Sequence, residues 1–238
     1  VGARVTSLGT LASRVLGMLR DMATASLLGM SGGGAMDAFV VAFRIPNLFR
    51  RLFGEGALTA SYLPVLSAQL EHDPRQAWKL VSVMLALLAV FLAGLVVFGE
   101  LLLGLWWLVG GDAPETRLLL GLAAVMMPYA VLICLAAQMA ATLHSLSHFT
   151  APALAPTLLN LCWLAGALLV APYFAPDRQA QAYVLAVAVL LAGFLQLGIH
   201  WPVLRRYGFV FDFDPAAARP AVRQIFGALL PTLFGLAV

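Results

Sequence analysis

The chain contains two apolar stretches with an unusual density of charge, SRVLGMLRDMATASLLG (residues 13–29) and DAFVVAFRIPNLFRRLFGEGA (residues 37–57). Their charged residues are Arg14, Arg20 and Asp21 in the first, and Asp37, Arg44, Arg50, Arg51 and Glu55 in the second. A charged group at bilayer depth costs roughly 2.5–3.5 kcal/mol on insertion scales, so such groups face a bundle interior or a watery cavity. Arginines on neighbouring helices therefore predict a cationic cavity that binds an anion.

The composition outside these stretches is that of a membrane protein. The chain has 238 residues, of which 62% are hydrophobic and 11% are charged. Soluble domains average about 25% charged residues. We therefore expect an all-α polytopic membrane protein, since helices satisfy their own backbone groups in lipid.

Six membrane spans and the start of a seventh fit the chain, because each span needs about 20 mostly apolar residues. The spans are expected near residues 5–29, 35–69, 78–109, 117–143, 150–173 and 179–204, with a seventh from about 220. The second is too long for one straight helix, and Pro46 and Gly54–Gly56 predict a kink or a break within it. The connection 205–219 is expected to lie along the surface.

The basic residues between spans predict the orientation of the chain. Six spans return the chain to its starting side, which then holds Arg4, Arg75, Lys79, Arg205, Arg206, Arg219 and Arg223. The opposite side holds only Arg117 and Arg178. Since positive loops stay inside, the N-terminus is expected in the cytoplasm.

Helical geometry sorts the charged side chains of the two stretches into faces. Arg14 and Asp21 lie within about 20° of each other, and Arg20 lies well off that line. If the second stretch is a regular helix, four of its charged residues lie within about 40° of one another around the helix axis: Asp37, Arg44, Arg51 and Glu55. Arg50 points elsewhere.

The arginines best placed to hold an anion are therefore Arg14, Arg20 and Arg50. A guanidinium binds phosphate through two parallel hydrogen bonds and stays charged at any working pH. Arg51 and Glu55 are four residues apart and are able to neutralise each other. The alternative is structural: ion pairs among Arg44, Arg51 and Glu55, or a position of Arg50 and Arg51 at the inner membrane interface.

Both charged stretches, together with FTAPALAPTLLNL (residues 149–161), resemble the MurJ/MviN family of lipid II flippases. This family belongs to the MATE-like multidrug/oligosaccharidyl-lipid/polysaccharide (MOP) superfamily. The most specific match is RIPNLFRRLFGEGA (residues 44–57), and the resemblance runs in order along essentially the whole chain.

The resemblance implies a fold of fourteen helices in two lobes around a central cationic cavity. Residues 1–210 are similar to the N-terminal six-helix lobe, and residues 211–238 to a linker and the truncated start of the second lobe. The family's cavity arginines match Arg14, Arg20 and Arg50. Acidic positions implicated in gating or salt-bridge exchange match Asp21 and Asp37. The Arg51–Glu55 pair, four residues apart, is grouped with them as a candidate for the same role. A further cavity arginine belongs to the second lobe, so we expect transport to need that lobe.

The activity implied by the resemblance is transport rather than catalysis. The substrate is lipid II, an undecaprenyl-pyrophosphate-linked disaccharide-pentapeptide, moved from the inner to the outer leaflet of the bacterial plasma membrane by alternating access. The expected partners are lipid II and membrane lipids, without nucleic acid, and the expected state is a monomer. No cofactor or metal is expected, although membrane potential or a monovalent ion is a candidate for coupling.

Two other classes of protein stay open at the level of the residues. A related exporter would carry another polyprenyl-linked oligosaccharide or drugs; an arginine-rich cavity disfavours cationic drugs but does not separate lipid II from other lipid pyrophosphates. A membrane enzyme acting on polyprenyl phosphates would need metal-binding carboxylates or an acid–base pair near the phosphate. The sequence has no aspartate-rich motif of that kind.

Overall fold

The computed structural model describes residues 2–29, 34–54, 56–110 and 113–237, and within these ranges it is helical without any strand. The helices are α1 (Gly2–Leu28), α2 (Ala35–Phe49), α3 (Ala57–His72), α4 (Pro74–Gly110), α5 (Pro114–Ser145), α6 (Thr150–Ala165), α7 (Ala171–Phe174), α8 (Arg178–Arg206) and α9 (Pro215–Ala237). The all-α prediction is confirmed.

Four segments of the described chain are long and apolar enough to cross a membrane: Pro74–Gly110, Pro114–Ser145, Thr150–Phe174 and Arg178–Arg206. They coincide with the predicted third to sixth spans. The Thr150–Phe174 segment contains one π-helical turn, at Gly166–Val170, that the sequence did not predict. The charged segments α1 and α2–α3 do not meet the same criterion of length and apolarity, so their crossing of the membrane stays a prediction.

The second predicted span is broken, as the sequence indicates. Helix α2 contains Pro46 and ends at Phe49, a single π-helical turn covers Arg50–Gly54, and α3 begins at Ala57. Gly56 is required at this break, because a Cβ atom there would lie 2.6 Å from the carbonyl oxygen of Arg51. Glu55, the predicted partner of Arg51, lies outside the described residues.

Helix α5 lies at the centre of the bundle and contacts α2, α3, α4, α6 and α8. Its buried side chains include small residues such as Ala123 and Ala130, which let neighbouring helices approach closely. The C-terminal half of α4, in contrast, exposes large apolar side chains, namely Leu101, Leu105, Trp106, Leu108 and Val109. Such a surface is suited to lipid tails, as expected of a multi-pass membrane protein.

The segment between α8 and α9 is fastened to the start of α4. Phe209 is buried, with its ring centroid 5.5 Å from that of Trp78. The Lys79 ammonium donates to a carboxylate oxygen of Asp214 at 2.7 Å, and the backbone N–H of Asp212 donates to the Ser82 hydroxyl at 3.0 Å. This segment contains the predicted domain boundary at residue 210, which stays a prediction.

Removing the Lys79–Asp214 ion pair is expected to loosen this segment. The Lys79 ammonium, followed by the backbone N–H of Ala217, holds the pKa of Asp214 below its usual value. The contribution of the pair to stability is therefore present above the unfolded pKa of about 3.9 and is lost as the pH falls through the lower folded pKa. We expect Lys79→Ala to speed tryptic cleavage after Arg205 at neutral pH, where the ion pair of the wild type is intact.

Mass spectrometry of timed digests at neutral pH measures this effect. Gln76→Ala is the matched control, since Gln76 is an exposed residue on the same turn of α4. Equal cleavage rates in wild type and Lys79→Ala would show that the ion pair does not hold the segment.

Candidate functional site

Helices α1, α2, α3, α5, α6 and α8 enclose a cavity of about 620 Å³. Its polar lining consists of Ser13, Arg14, Arg20, Asn47, Arg50, Thr59, Tyr129, His144, Asn160, Gln196 and His200. None of the described residues that line it is acidic. The arginines therefore give the cavity a positive potential that favours an anion.

The structure brings the three predicted ligand-binding arginines to this one cavity. Arg14 and Arg20 come from α1, and Arg50 is the first residue of the π turn after α2. Arg14 is exposed, whereas Arg20 and Arg50 are half-buried. Their binding role stays a prediction, but their convergence supplies the donors that it needs.

Arg20 is held in place by contacts on several sides. Its Nε and Nη2 donate to one carboxylate oxygen of Asp21, at 2.9 and 2.8 Å. Its Nη1 donates to the amide oxygen of Asn160 at 3.1 Å, and its guanidinium carbon lies 4.6 Å from a ring centroid of Trp163. A guanidinium that is already fixed in this way loses little conformational entropy when a ligand binds to it.

Asn160 and Trp163 are site residues that the sequence did not single out. The Asn160 amide nitrogen donates to the carbonyl oxygen of Ser13 at 2.9 Å, which ties α6 to α1. The Trp163 indole N–H donates to the Thr24 hydroxyl at 2.9 Å, and that hydroxyl donates to the carbonyl oxygen of Arg20. The only signal in the sequence was an amide and an indole three residues apart within an apolar run, a spacing that places both on one side of a helix.

Arg50 is oriented from its own segment. Its Nε donates to the amide oxygen of Asn47 at 3.0 Å. The next residue, Arg51, is exposed and does not line the cavity. Arg50 and Arg51 thus differ in direction, within a π turn and not in the regular helix that the prediction assumed.

The predicted gating residues lie at the edge of the site or away from it. Asp21 is exposed and paired with Arg20. Asp37 is exposed in the first turn of α2, where its carboxylate is favoured by the positive end of the helix dipole. Arg44 and Arg51 are also exposed and do not line the cavity. The predicted Arg51–Glu55 pair involves Glu55, which lies outside the described residues. Their gating roles stay predictions.

Neutral polar groups join α5, α6 and α8 at another part of the cavity wall. The Tyr129 hydroxyl donates to the side-chain oxygen of Gln196 at 3.2 Å. The Gln196 amide nitrogen donates to the carbonyl oxygen of Ala155 at 2.8 Å. His200, one turn after Gln196, completes this group.

Comparison with solved structures shows which fold the chain has. The fold matches a lipid II flippase MurJ in an inward closed conformation, with a TM-score of 0.71, 21% identity, and coverage of 96% of this chain and 47% of that chain. It also matches an outward-facing MATE family multidrug transporter of the MOP superfamily, with a TM-score of 0.67, 14% identity, and coverage of 98% and 52%. The fold is therefore that of about half of a MOP-superfamily transporter.

Comparison of sequences defines the family within that class. The model of the family "Lipid II flippase MurJ" matches residues 24–238. A probable lipid II flippase MurJ of Rhizobium tropici is 37% identical over 230 residues, which cover 93% of this chain and 42% of that protein. This chain belongs to the lipid II flippase MurJ family. It spans about half the length of the relatives that it matches.

Proposed function

We propose that this protein acts in the flipping of lipid II. The substrate is the undecaprenyl-pyrophosphate-linked disaccharide-pentapeptide, which moves from the inner to the outer leaflet of the bacterial plasma membrane. The observation that supports this proposal most strongly is the convergence of Arg14, Arg20 and Arg50 on one cavity without an acidic lining residue among those described. Membership of the MurJ family agrees with the chemistry of that cavity.

The cavity wall offers the contacts that a pyrophosphate requires. A pyrophosphate esterified at both ends carries one negative charge on each phosphate, and three guanidiniums supply both charge and directed donors. Arg20 is already oriented by Asn160, so binding it costs little side-chain entropy. The lipid tail would stay in the bilayer while the charged headgroup occupies the cavity.

Transport requires this lobe to move against a second one in an alternating-access cycle. Asp21 already holds Arg20 through a single carboxylate oxygen. A pyrophosphate that takes over Arg20 would release that carboxylate for another cation in a different state of the cycle. Asp37, Arg51 and Glu55 are proposed to take part in similar exchanges. Membrane potential is a proposed driving force, since one charge crossing the field is worth about 2.3 kcal/mol per 100 mV.

The proposed setting is the bacterial inner membrane, with the N-terminus in the cytoplasm. The excess of arginine and lysine on the starting side supports this orientation. The proposed working unit is a monomer that contains both lobes. Transfer or hydrolysis chemistry is not part of the proposal, because the relatives are named as flippases.

Native mass spectrometry of the full-length protein tests the assignment of substrate and site. We expect lipid II to bind the wild type and to bind the Arg14→Ala/Arg20→Ala/Arg50→Ala variant at least about a hundredfold more weakly. The reason is that hydrogen bonds to charged groups are each worth about 1.5–3 kcal/mol. A competing O-antigen polyprenyl pyrophosphate in the same experiment distinguishes lipid II from related lipids.

The matched control is Arg44→Ala, which removes an exposed arginine of the same segment from outside the cavity. This variant is expected to bind lipid II as the wild type does. Equal binding by the wild type and the triple variant would mean that the three arginines are structural and that lipid II binds elsewhere. Preference for the competitor would assign the protein to a different polyprenyl-linked substrate.

A further inference from the structure

The cavity wall includes a buried histidine that has no role in the proposed binding of pyrophosphate by the arginines. His200 on α8 lines the cavity and is 0% exposed. Its Nδ1 lies within hydrogen-bond distance of the backbone carbonyl oxygen of Gln196. Because a carbonyl oxygen only accepts, Nδ1 must carry a proton.

This hydrogen bond fixes what the other ring nitrogen is able to do. With the proton on Nδ1, Nε2 of the neutral ring is an acceptor, and it becomes a donor only in the imidazolium form. Nε2 is buried and has no hydrogen-bond partner in the part of the chain that the structure describes. A neutral ring therefore carries a lone pair at Nε2, which the oxygens of an anion avoid, whereas a protonated ring carries an N–H at that atom, which they bind.

The charges around His200 oppose its protonation until an anion is present. Cationic or titratable groups on the neighbouring elements are Arg14 and Arg20 on α1, Arg50 after α2, Tyr129 and His144 on α5, and His148 between α5 and α6. Helix α6 contributes only non-titrating side chains to the cavity wall. An imidazolium in the empty cavity would meet the positive potential of the arginines that line the same wall. A bound dianion offsets the repulsion from the arginines and pairs with the new N–H.

We propose that His200 takes up a proton from solvent at Nε2 when a pyrophosphate diester binds in the cavity, so that binding strengthens as the pH falls. The proton joins the lone pair of Nε2, and the resulting N–H donates to a phosphate oxygen. This inference rests on the proposed function, because it takes the cavity to be the site of the lipid pyrophosphate. It adds a proton to the binding step and makes His200 a ligand-contacting residue.

The test is the pH dependence of lipid II binding to the full-length protein in nanodiscs. Both phosphates of lipid II are esterified, so the charge of the pyrophosphate stays constant across the range in which histidine titrates, about pH 5–8. The wild type is expected to gain affinity as the pH falls, by at most about tenfold per pH unit for one proton. His200→Gln keeps a polar side chain without a titrating group, and is expected to bind lipid II with an affinity that hardly changes with pH.

Two matched histidine variants locate the effect. His148→Gln alters a histidine that contacts Tyr207 and does not line the cavity, and this variant is expected to retain an affinity for lipid II that rises as the pH falls. His144→Gln alters the other histidine of the cavity wall. Loss of the pH dependence in His144→Gln together with its persistence in His200→Gln would overturn the assignment to His200.

Calorimetry of the wild type keeps the proposal testable if His200→Gln fails to fold. Lipid II binding measured in two buffers with different ionisation enthalpies reports the number of protons taken up. A measurable uptake near neutral pH is expected. Binding without uptake, and without pH dependence, would overturn this inference and leave the proposed function intact. Absence of lipid II binding at every pH would overturn the proposed function itself.

Discussion

Arg20→Ala in the full-length protein is expected to abolish growth of cells depleted of their own lipid II flippase, while the variant still reaches the membrane. Arg20 contacts α6 as well as its own helix. Its removal deletes a donor for the pyrophosphate and also leaves the Asn160 amide oxygen without its guanidinium donor. Loss of one hydrogen bond to a charged group costs about 1.5–3 kcal/mol, or more than tenfold in affinity.

Arg20→Lys separates charge from geometry in the same growth assay. Lysine retains the positive charge, but its single ammonium does not reproduce the planar fork that reaches Asp21 and Asn160 together. We expect Arg20→Lys to support growth weakly and the control Arg44→Ala, an exposed arginine outside the cavity, to support it fully. Normal growth of cells carrying Arg20→Ala would remove Arg20 from the mechanism.

Much of the site was predictable because charge in an apolar helix is a strong signal. The convergence of Arg14, Arg20 and Arg50 on a cavity follows from the cost of placing guanidiniums in lipid. Asn160 and His200 were not predicted as site residues. Neither residue carries a fixed charge, and Asn160 meets α1 across nearly 150 residues of chain, a contact that local spacing does not reveal.

The fold was predictable to a similar degree. Apolar length predicted the third to sixth spans to within a few residues, and Pro46 with Gly56 predicted the broken second segment. The π turn at Gly166–Val170 was missed, although Gly166 begins it and Pro172 lies two residues beyond its end, because such residues mark a disturbed helix without fixing its form. Helix α9 begins at Pro215, five residues before the predicted start near 220. A proline is favoured at the first turn of a helix, and a carboxylate oxygen of Asp214 accepts from the backbone N–H of Ala217.

Trp163→Ala is expected to lower the free energy of unfolding by roughly 3–5 kcal/mol, the range for truncating a buried aromatic residue. Trp163 is 4% exposed. Its ring packs edge-to-face on Phe39 and Phe43, at centroid distances of 5.2 and 5.0 Å, and its N–H donates to Thr24. Denaturation of the purified protein in detergent, followed by circular dichroism, measures the change.

Two further variants separate the roles of this indole. Trp163→Phe keeps an aromatic face for Arg20 but loses the hydrogen bond to Thr24. We expect it to lower the free energy of unfolding by an amount that includes about 1 kcal/mol for that bond. The total decrease should stay well below that of Trp163→Ala. Trp106→Ala is the control, since Trp106 is 56% exposed on the apolar surface of α4, and its truncation is expected to change stability little. If Trp163→Ala were no more destabilising than Trp106→Ala, then Trp163 would not hold α1, α2 and α6 together. The cavity would then owe its shape to the hydrogen bonds of Asn160, and Asn160→Ala would become the variant that destabilises the protein.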